Sequence, residues 1–182
     1  MMWIFSIASA LVVCVCMAHG SPVPAENNTT LFNFTDCSVG QSPMFVVMNV
    51  SVGPNPVEIP GLMEMGVEGE LLEEVEGPVQ LAISIAKVSE LEEGEVVPCS
   101  TLTGPCIIDD ICPTLESSTC PQEYVQLGYT CKCPFQPGNV SYSASTMFAG
   151  ASILSPGSYV IQVTAQSKGR LVTCVELSGD FS

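Results

Sequence analysis

Positive charge is what this chain has least of. Four lysines and arginines stand against nineteen aspartates and glutamates in 182 residues, a net charge of −15. Surfaces that hold nucleic acids or polyphosphates are built from clustered Lys and Arg, so that class of partner is excluded. Histidine and tryptophan are scarcer still, since His19 and Trp3 both fall in the first twenty residues. Beyond His19 neither a Ser-His-Asp nor a Cys-His arrangement can be assembled, and no glycine-rich phosphate cradle is present. Paired carboxylates could in principle serve a glycosidase, but runs such as Glu90-Leu91-Glu92-Glu93-Gly94-Glu95 read first as solvated turns. Catalysis by this chain alone is not expected.

Long apolar runs are equally rare. The one at Trp3–Met17 is broken only by Ser6 and Ser9, and its 15 residues fall short of a bilayer span. Small residues flank His19 in Ala18-His19-Gly20. The run therefore reads as a secretory signal peptide over 1–20, removed ahead of Ser21, although the usual basic start is missing. A polar, proline-containing flexible tail is expected over 21–32 and a single domain over 33–182. Sequons begin at Asn27, Asn28, Asn33, Asn49 and Asn139, all candidate glycosylation sites that favour the secretory route. Asn49 and Asn139 are the better two, because both sit beside strand-like segments.

Cysteine, by contrast, is abundant. After Cys14 and Cys16 come Cys37, Cys99, Cys106, Cys112, Cys120, Cys131, Cys133 and Cys174, six of them within the 35 residues from Cys99 to Cys133. An even number behind a leader reads as a disulfide framework formed in an oxidising compartment. Cys131-Lys132-Cys133 could also bind metal or cycle between redox states, but no histidine and no Cys-x-x-Cys accompanies it. Structural disulfides, with no metal site and no cofactor, are the expectation. Eight cysteines permit roughly a hundred pairings, so the residues alone leave the connectivity open.

Eleven glutamates lie between Glu58 and Glu95, facing the single base Lys87. The plain reading is a solvated face that keeps the protein soluble; the functional one is a pH-sensitive surface or a docking patch for a basic partner. Asp109-Asp110 could invite calcium, or simply cap a short helix.

Short β segments account for most of the pattern. Phe45 to Val52 alternates with Val46, Met48, Val50 and Val52 on one face and Asn49 and Ser51 on the other. Pro54, Pro56 and Pro60 punctuate the next segment. Val79 to Val88 alternates again, placing Val79, Leu81, Ile83 and Ile85 together, and Ser158 to Ala165 does so with Tyr159, Ile161, Val163 and Ala165. Leu171 to Leu177 is a last strand, joined through the hairpin signal Ser167-Lys168-Gly169-Arg170. No stretch sustains a helical period, and Ile107 to Ile111 is the best candidate for one short turn. The fold class expected is all-β, an antiparallel two-sheet sandwich or cup. Met147-Phe148-Ala149-Gly150-Ala151-Ser152-Ile153-Leu154 is an apolar stretch that reads equally as a mobile flap or as a buried strand.

At this point the residues become recognisable. Asp36-Cys37, Pro54-Asn55-Pro56-Val57 with Ile59-Pro60-Gly61, Val97-Pro98-Cys99, Gly104-Pro105-Cys106 and Ile111-Cys112 form one series. Cys120-Pro121, Gly128-Tyr129-Thr130-Cys131-Lys132-Cys133-Pro134-Phe135, Gly157-Ser158-Tyr159 and Gly169-Arg170-Leu171-Val172-Thr173-Cys174 complete it. Over about Asn33 to Phe181 the chain resembles the ganglioside GM2 activator family, of the ML class of lipid-recognition domains. The resemblance implies the pairs Cys37–Cys174, Cys99–Cys106, Cys112–Cys133 and Cys120–Cys131. It further implies a secreted or lysosomal accessory protein that holds the acyl tails of a glycolipid or other membrane lipid in an apolar cup. Such a protein touches the membrane transiently and presents the sugar to a glycosidase such as β-hexosaminidase. Val46, Met48, Val50, Leu81, Ile83, Ile85, Ile161 and Val163, with Met147, Phe148, Ile153 and Leu154 of the apolar stretch, are then the candidates for lining the cup. An extracellular carrier of fatty acids, phospholipids or sterols that activates no enzyme is the alternative, and a disulfide-rich inhibitor or immune-recognition module a third.

Overall fold

A computed structural model describes residues 32–58, 60–88, 95–96, 106–120, 125, 130–148 and 155–182, with the backbone alone at 95–96 and 146–148. The expected signal peptide and most of the tail, the sequons at Asn27 and Asn28, Cys99, Ile153 and Leu154 lie outside these residues.

The described strands are β1 (Asn33–Asp36), β2 (Phe45–Gly53), β3 (Gly61–Leu71), β4 (Val79–Lys87) and β5 (Glu95–Val96). They continue with β6 (Cys106–Ile108), β7 (Gly138–Phe148), β8 (Gly157–Ser167) and β9 (Arg170–Phe181), and a short helix, α1 (Cys112–Ser117), precedes β7. Strand pairs are antiparallel throughout and form two sheets. One runs β1-β9-β8-β4-β5, with β6 also beside β4; the other runs β2-β3-β7. The expected all-β, two-sheet architecture is the one observed. Its tightest connection joins β8 to β9, where Ser167 pairs with Arg170 and both Lys168 (φ 51°) and Gly169 (φ 76°) adopt the left-handed conformation that a two-residue hairpin turn of right-handed twist requires.

Three features depart from the sequence expectation. In β2 the register shifts between Val47 and Asn49, leaving Met48 as an extra residue. Val46 is therefore half-buried opposite exposed Glu70, Met48 is 60 % exposed, and the buried row is Phe45, Val47, Val50 and Val52. An inserted residue reverses a period-two pattern, so Val46 and Met48 leave the interior face assigned to them. Secondly, β3 occupies what reads in the sequence as a proline-punctuated connection. Met63, Met65, Val67 and Leu71 are buried, whereas Leu62, Glu64, Glu68 and Glu70 alternate with them on the solvent side. Thirdly, the helical turn sits at Cys112–Ser117 and not at Ile107–Ile111, whose first two residues continue β6 against Leu81 and Ala82. Pro113 in the first turn suits that helix, since a helix start needs no N–H there.

Bridges Cys37–Cys174, Cys112–Cys133 and Cys120–Cys131 are formed, matching the implied pairing. Cys106 is also disulfide-bonded, with its partner outside the described residues.

Candidate functional site

Each sheet turns one row of apolar side chains toward the other, as two packed β layers must. At one end the space between them is filled. Val75 and Phe135 exchange backbone hydrogen bonds of 3.0 and 2.9 Å and are wholly buried, next to Leu71 and Val79. Ile111 N–H donates to the Val79 carbonyl at 2.9 Å. Asp110 Oδ1 accepts from the N–H groups of Val79 and Cys112, both at 3.0 Å. Its carboxylate therefore ties the start of β4 to the first residue of α1, although the N-cap position itself is Ile111 and no side chain caps the helix there. Asp109 Oδ1 accepts from Gln80 Nε2 at 3.5 Å.

Along the inward row of β4 the packing then loosens. Val79 is 1 % exposed, Leu81 2 % and Ile83 5 %, but Ile85 is only half-buried. Its cross-strand partner Ile161 is half-buried too, between fully buried Val163 and Tyr159 of β8. In the other sheet, β7 repeats the change: Val140 and Tyr142 are buried and Ala144 half-buried. Thus both sheets carry half-buried apolar groups beside buried members of the same rows, Ile85 and Ile161 in one sheet and Ala144 in the other. Of the candidate lining residues, Val50, Leu81, Ile83 and Val163 are core, Ile85 and Ile161 flank the looser region, and Met147 and Phe148 pair with Leu62 and Gly61 at the end of β7. Sequence reasoning does not single out Ala144, though the run Gly138–Ser145 shows the alternating small and apolar residues of a strand.

Beyond Ile161 the interior is aromatic. Tyr159 meets Phe181 edge to face at 5.5 Å between ring centroids, and Phe181 meets Phe32 in the same way at 5.7 Å. The Tyr159 hydroxyl donates to the Ser155 carbonyl at 2.7 Å. Lys87 closes the inward row of β4. Its Nζ donates to Ser155 Oγ at 2.7 Å and to the Pro156 carbonyl at 3.0 Å, and lies 5.7 Å from the centroid of the Tyr159 ring.

Charge is distributed unevenly. Lys168 pairs with Glu76 and Arg170 with Glu73, fastening the β8–β9 turn to the connection between β3 and β4. The hydrogen bonds and charge of the Arg170 guanidinium hold the Glu73 carboxyl below its ordinary value. Glu64, Glu68 and Glu70 project from the outer face of β3, where Asn49 of β2 stands opposite Glu68 and Asn139 of β7 opposite Glu70. Asn33, Asn49 and Asn139 are all exposed. Among the described residues no three His, Cys, Asp or Glu side chains are grouped to hold a metal ion, and no helix is long and apolar enough to cross a membrane.

The class these features define is a disulfide-stapled antiparallel β-sandwich whose inward apolar rows are only half-buried at Ile85, Ile161 and Ala144. The family model of the ML domain matches residues 31–181, and the chain belongs to that family. A ganglioside GM2 activator of Mus musculus is 26 % identical over 160 residues, covering 82 % of this chain and 81 % of that protein. One of Macaca fascicularis is likewise 26 % identical over 160 residues, covering 82 % and 83 %. Among solved structures, a Niemann-Pick type C2 protein from Japanese carpenter ant superposes with a TM-score of 0.49 at 14 % identity, over 82 % of this chain and 99 % of that one.

Proposed function

We propose that the protein is a non-catalytic lipid carrier and activator. It takes the acyl chains of a membrane lipid between its sheets beside Ile85, Ile161 and Ala144, lifts the lipid out, and presents a glycolipid headgroup to a soluble glycosidase of the β-hexosaminidase type. The observation that carries this is the loosened packing in the inward rows of both sheets. Membership of the ML-domain family and likeness to ganglioside GM2 activators support it. Burying a CH₂ away from water is worth ~0.8 kcal/mol, but a lipid in a bilayer is already buried. An apolar interior therefore only has to match the membrane, and selectivity falls to polar groups at its edge. A secreted or lysosomal setting, with glycans on the exposed Asn33, Asn49 and Asn139, belongs to the same reading.

Delipidated protein titrated with a fluorescent fatty acid should bind it, and Ile161→Trp should weaken that binding while the circular dichroism spectrum stays that of wild type. Unchanged binding by a folded Ile161→Trp protein would remove the assignment of the interior. Adding β-hexosaminidase and ganglioside vesicles tests the finer claim. Lipid binding with no acceleration of sugar release leaves a carrier that activates no enzyme.

A further inference from the structure

We propose that Lys87 is an anion-recognition residue at the edge of this interior, so that the protein prefers amphiphiles with a phosphate-type anionic head over neutral ones of the same tail. The proposal rests on the lipid-binding reading above and adds the headgroup chemistry.

The argument begins with strand parity. Val79, Leu81, Ile83, Ile85 and Lys87 occupy alternate positions of β4, so the row that lines the interior ends on an ammonium. The register sets Lys87 opposite Tyr159, one same-face step beyond the half-buried pair Ile85 and Ile161. Such a step is about 7 Å along a strand, the scale of a glycerol unit between an acyl chain and its phosphate.

The side chain is also seated. A Cβ added at Gly157 would lie 2.7 Å from Lys87 Cε, and the φ of Gly157 is 147°, so glycine there leaves room for the lysine stem. Among the described residues the three groups that hold the ammonium are neutral: the Ser155 hydroxyl, the Pro156 carbonyl and the Tyr159 ring. Among the described residues two of its three N–H donors are used, which leaves one for a ligand. Lys168 and Arg170 are committed to Glu76 and Glu73 at the turn between β8 and β9. Lys132 is exposed between the disulfide cysteines Cys131 and Cys133. Lys87 is thus the base that adjoins the loosened apolar pair. In a molecule of net charge −15 an anionic head is repelled in general, and a fixed cation beside the acyl site offsets that locally. In the strand register Lys87 stands opposite Glu95 of β5, and the selectivity is read from the Lys87 variants.

The matched probes are 1-oleoyl lysophosphatidic acid and monoolein, which differ by the phosphate alone, with glycerol 3-phosphate as the head without a tail. Each is titrated at neutral pH into delipidated full-length protein carrying a displaceable fluorescent fatty acid. Wild type should bind the phosphate lipid about tenfold more tightly than monoolein, the scale of one charge-assisted hydrogen bond. Lys87→Met should abolish that preference while holding monoolein within about twofold, and Lys87→Arg should keep it. Glycerol 3-phosphate should displace nothing. Equal binding of both lipids by wild type, or a preference that survives Lys87→Met, overturns the proposal. Loss of monoolein along with the phosphate lipid in Lys87→Met also overturns it, because the lysine would then serve only to hold Ser155 and Pro156. Displacement by glycerol 3-phosphate overturns the link to the acyl site. If wild type binds neither lipid, the lipid-binding reading itself fails, a result separate from equal binding of both.

Discussion

At Gly69 an added Cβ would sit 2.5 Å from the Val46 carbonyl oxygen and 2.6 Å from the Phe45 ring, which is 2 % exposed. The glycine occupies an inward position of β3 and the phenyl ring fills the volume its missing side chain leaves. Gly69→Ala should therefore overpack the core and lower stability by about 1–3 kcal/mol, read as a reduced urea midpoint at unchanged slope. A different logic governs Glu73. Arg170 donates through Nη1 to Oε2 at 2.8 Å and through Nη2 to Oε1, and these bonds, with the guanidinium charge, depress the folded carboxyl value. A depressed carboxyl contributes stability above its unfolded value and loses it as pH falls through the folded one. The difference in urea midpoint between wild type and Glu73→Gln should then be small at neutral pH, since the pair is exposed, and vanish on acidification below the ordinary glutamate range. A difference that grows toward acid pH would contradict the sign.

Among the elements, β2 shows most plainly how one residue redirects a strand. Without Met48 its sequence alternates without a break: Phe45, Val47, Val50 and Val52 inward, Val46, Asn49 and Ser51 outward. Deleting Met48 should accordingly give a protein that still unfolds in one cooperative step, within about 1 kcal/mol of wild type, checked by coincident fluorescence and circular dichroism transitions. The same element explains where the sequence is silent. A period-two reading begun at Val46 reaches Val52 with every alternate residue apolar, so nothing local betrays the bulge. The acids of β3 obscure a strand that its alternation marks clearly, because Glu64, Glu68 and Glu70 read as a charge cluster more readily than as the outer half of a pleat. By contrast β4, β8 and the Lys168-Gly169 turn are legible, since each carries its own alternation or turn chemistry. Of the interior, Ile85 and Ile161 are legible from their rows. That they are looser than Leu81 or Val163 depends on packing between sheets, which no single strand encodes.

For the molecule as a whole, the bridge between Cys37 and Cys174 spans 137 residues and sets the end of β1 against β9. The chain-entropy model assigns such a loop about 5 kcal/mol through restriction of the unfolded chain. Replacing both cysteines by serine should lower the thermal midpoint by many degrees while leaving the antiparallel sheet signal of the folded state intact at low temperature. Scanning calorimetry with circular dichroism checks both halves, and an unchanged midpoint would show that the unfolded chain is already restrained. Covalent closure also changes what a protease can do. A single cut at any peptide bond between Cys37 and Cys174 divides the backbone without dividing the molecule, because the two pieces stay joined by sulfur, and a cut between β4 and β8 leaves them joined by the β1–β9 and β4–β8 ladders as well. A nicked copy would run as one band until reduced. Hydrolytic surroundings would then meet a particle that can be broken once and keep its shape, and its working lifetime would be set by the second cut and not by the first.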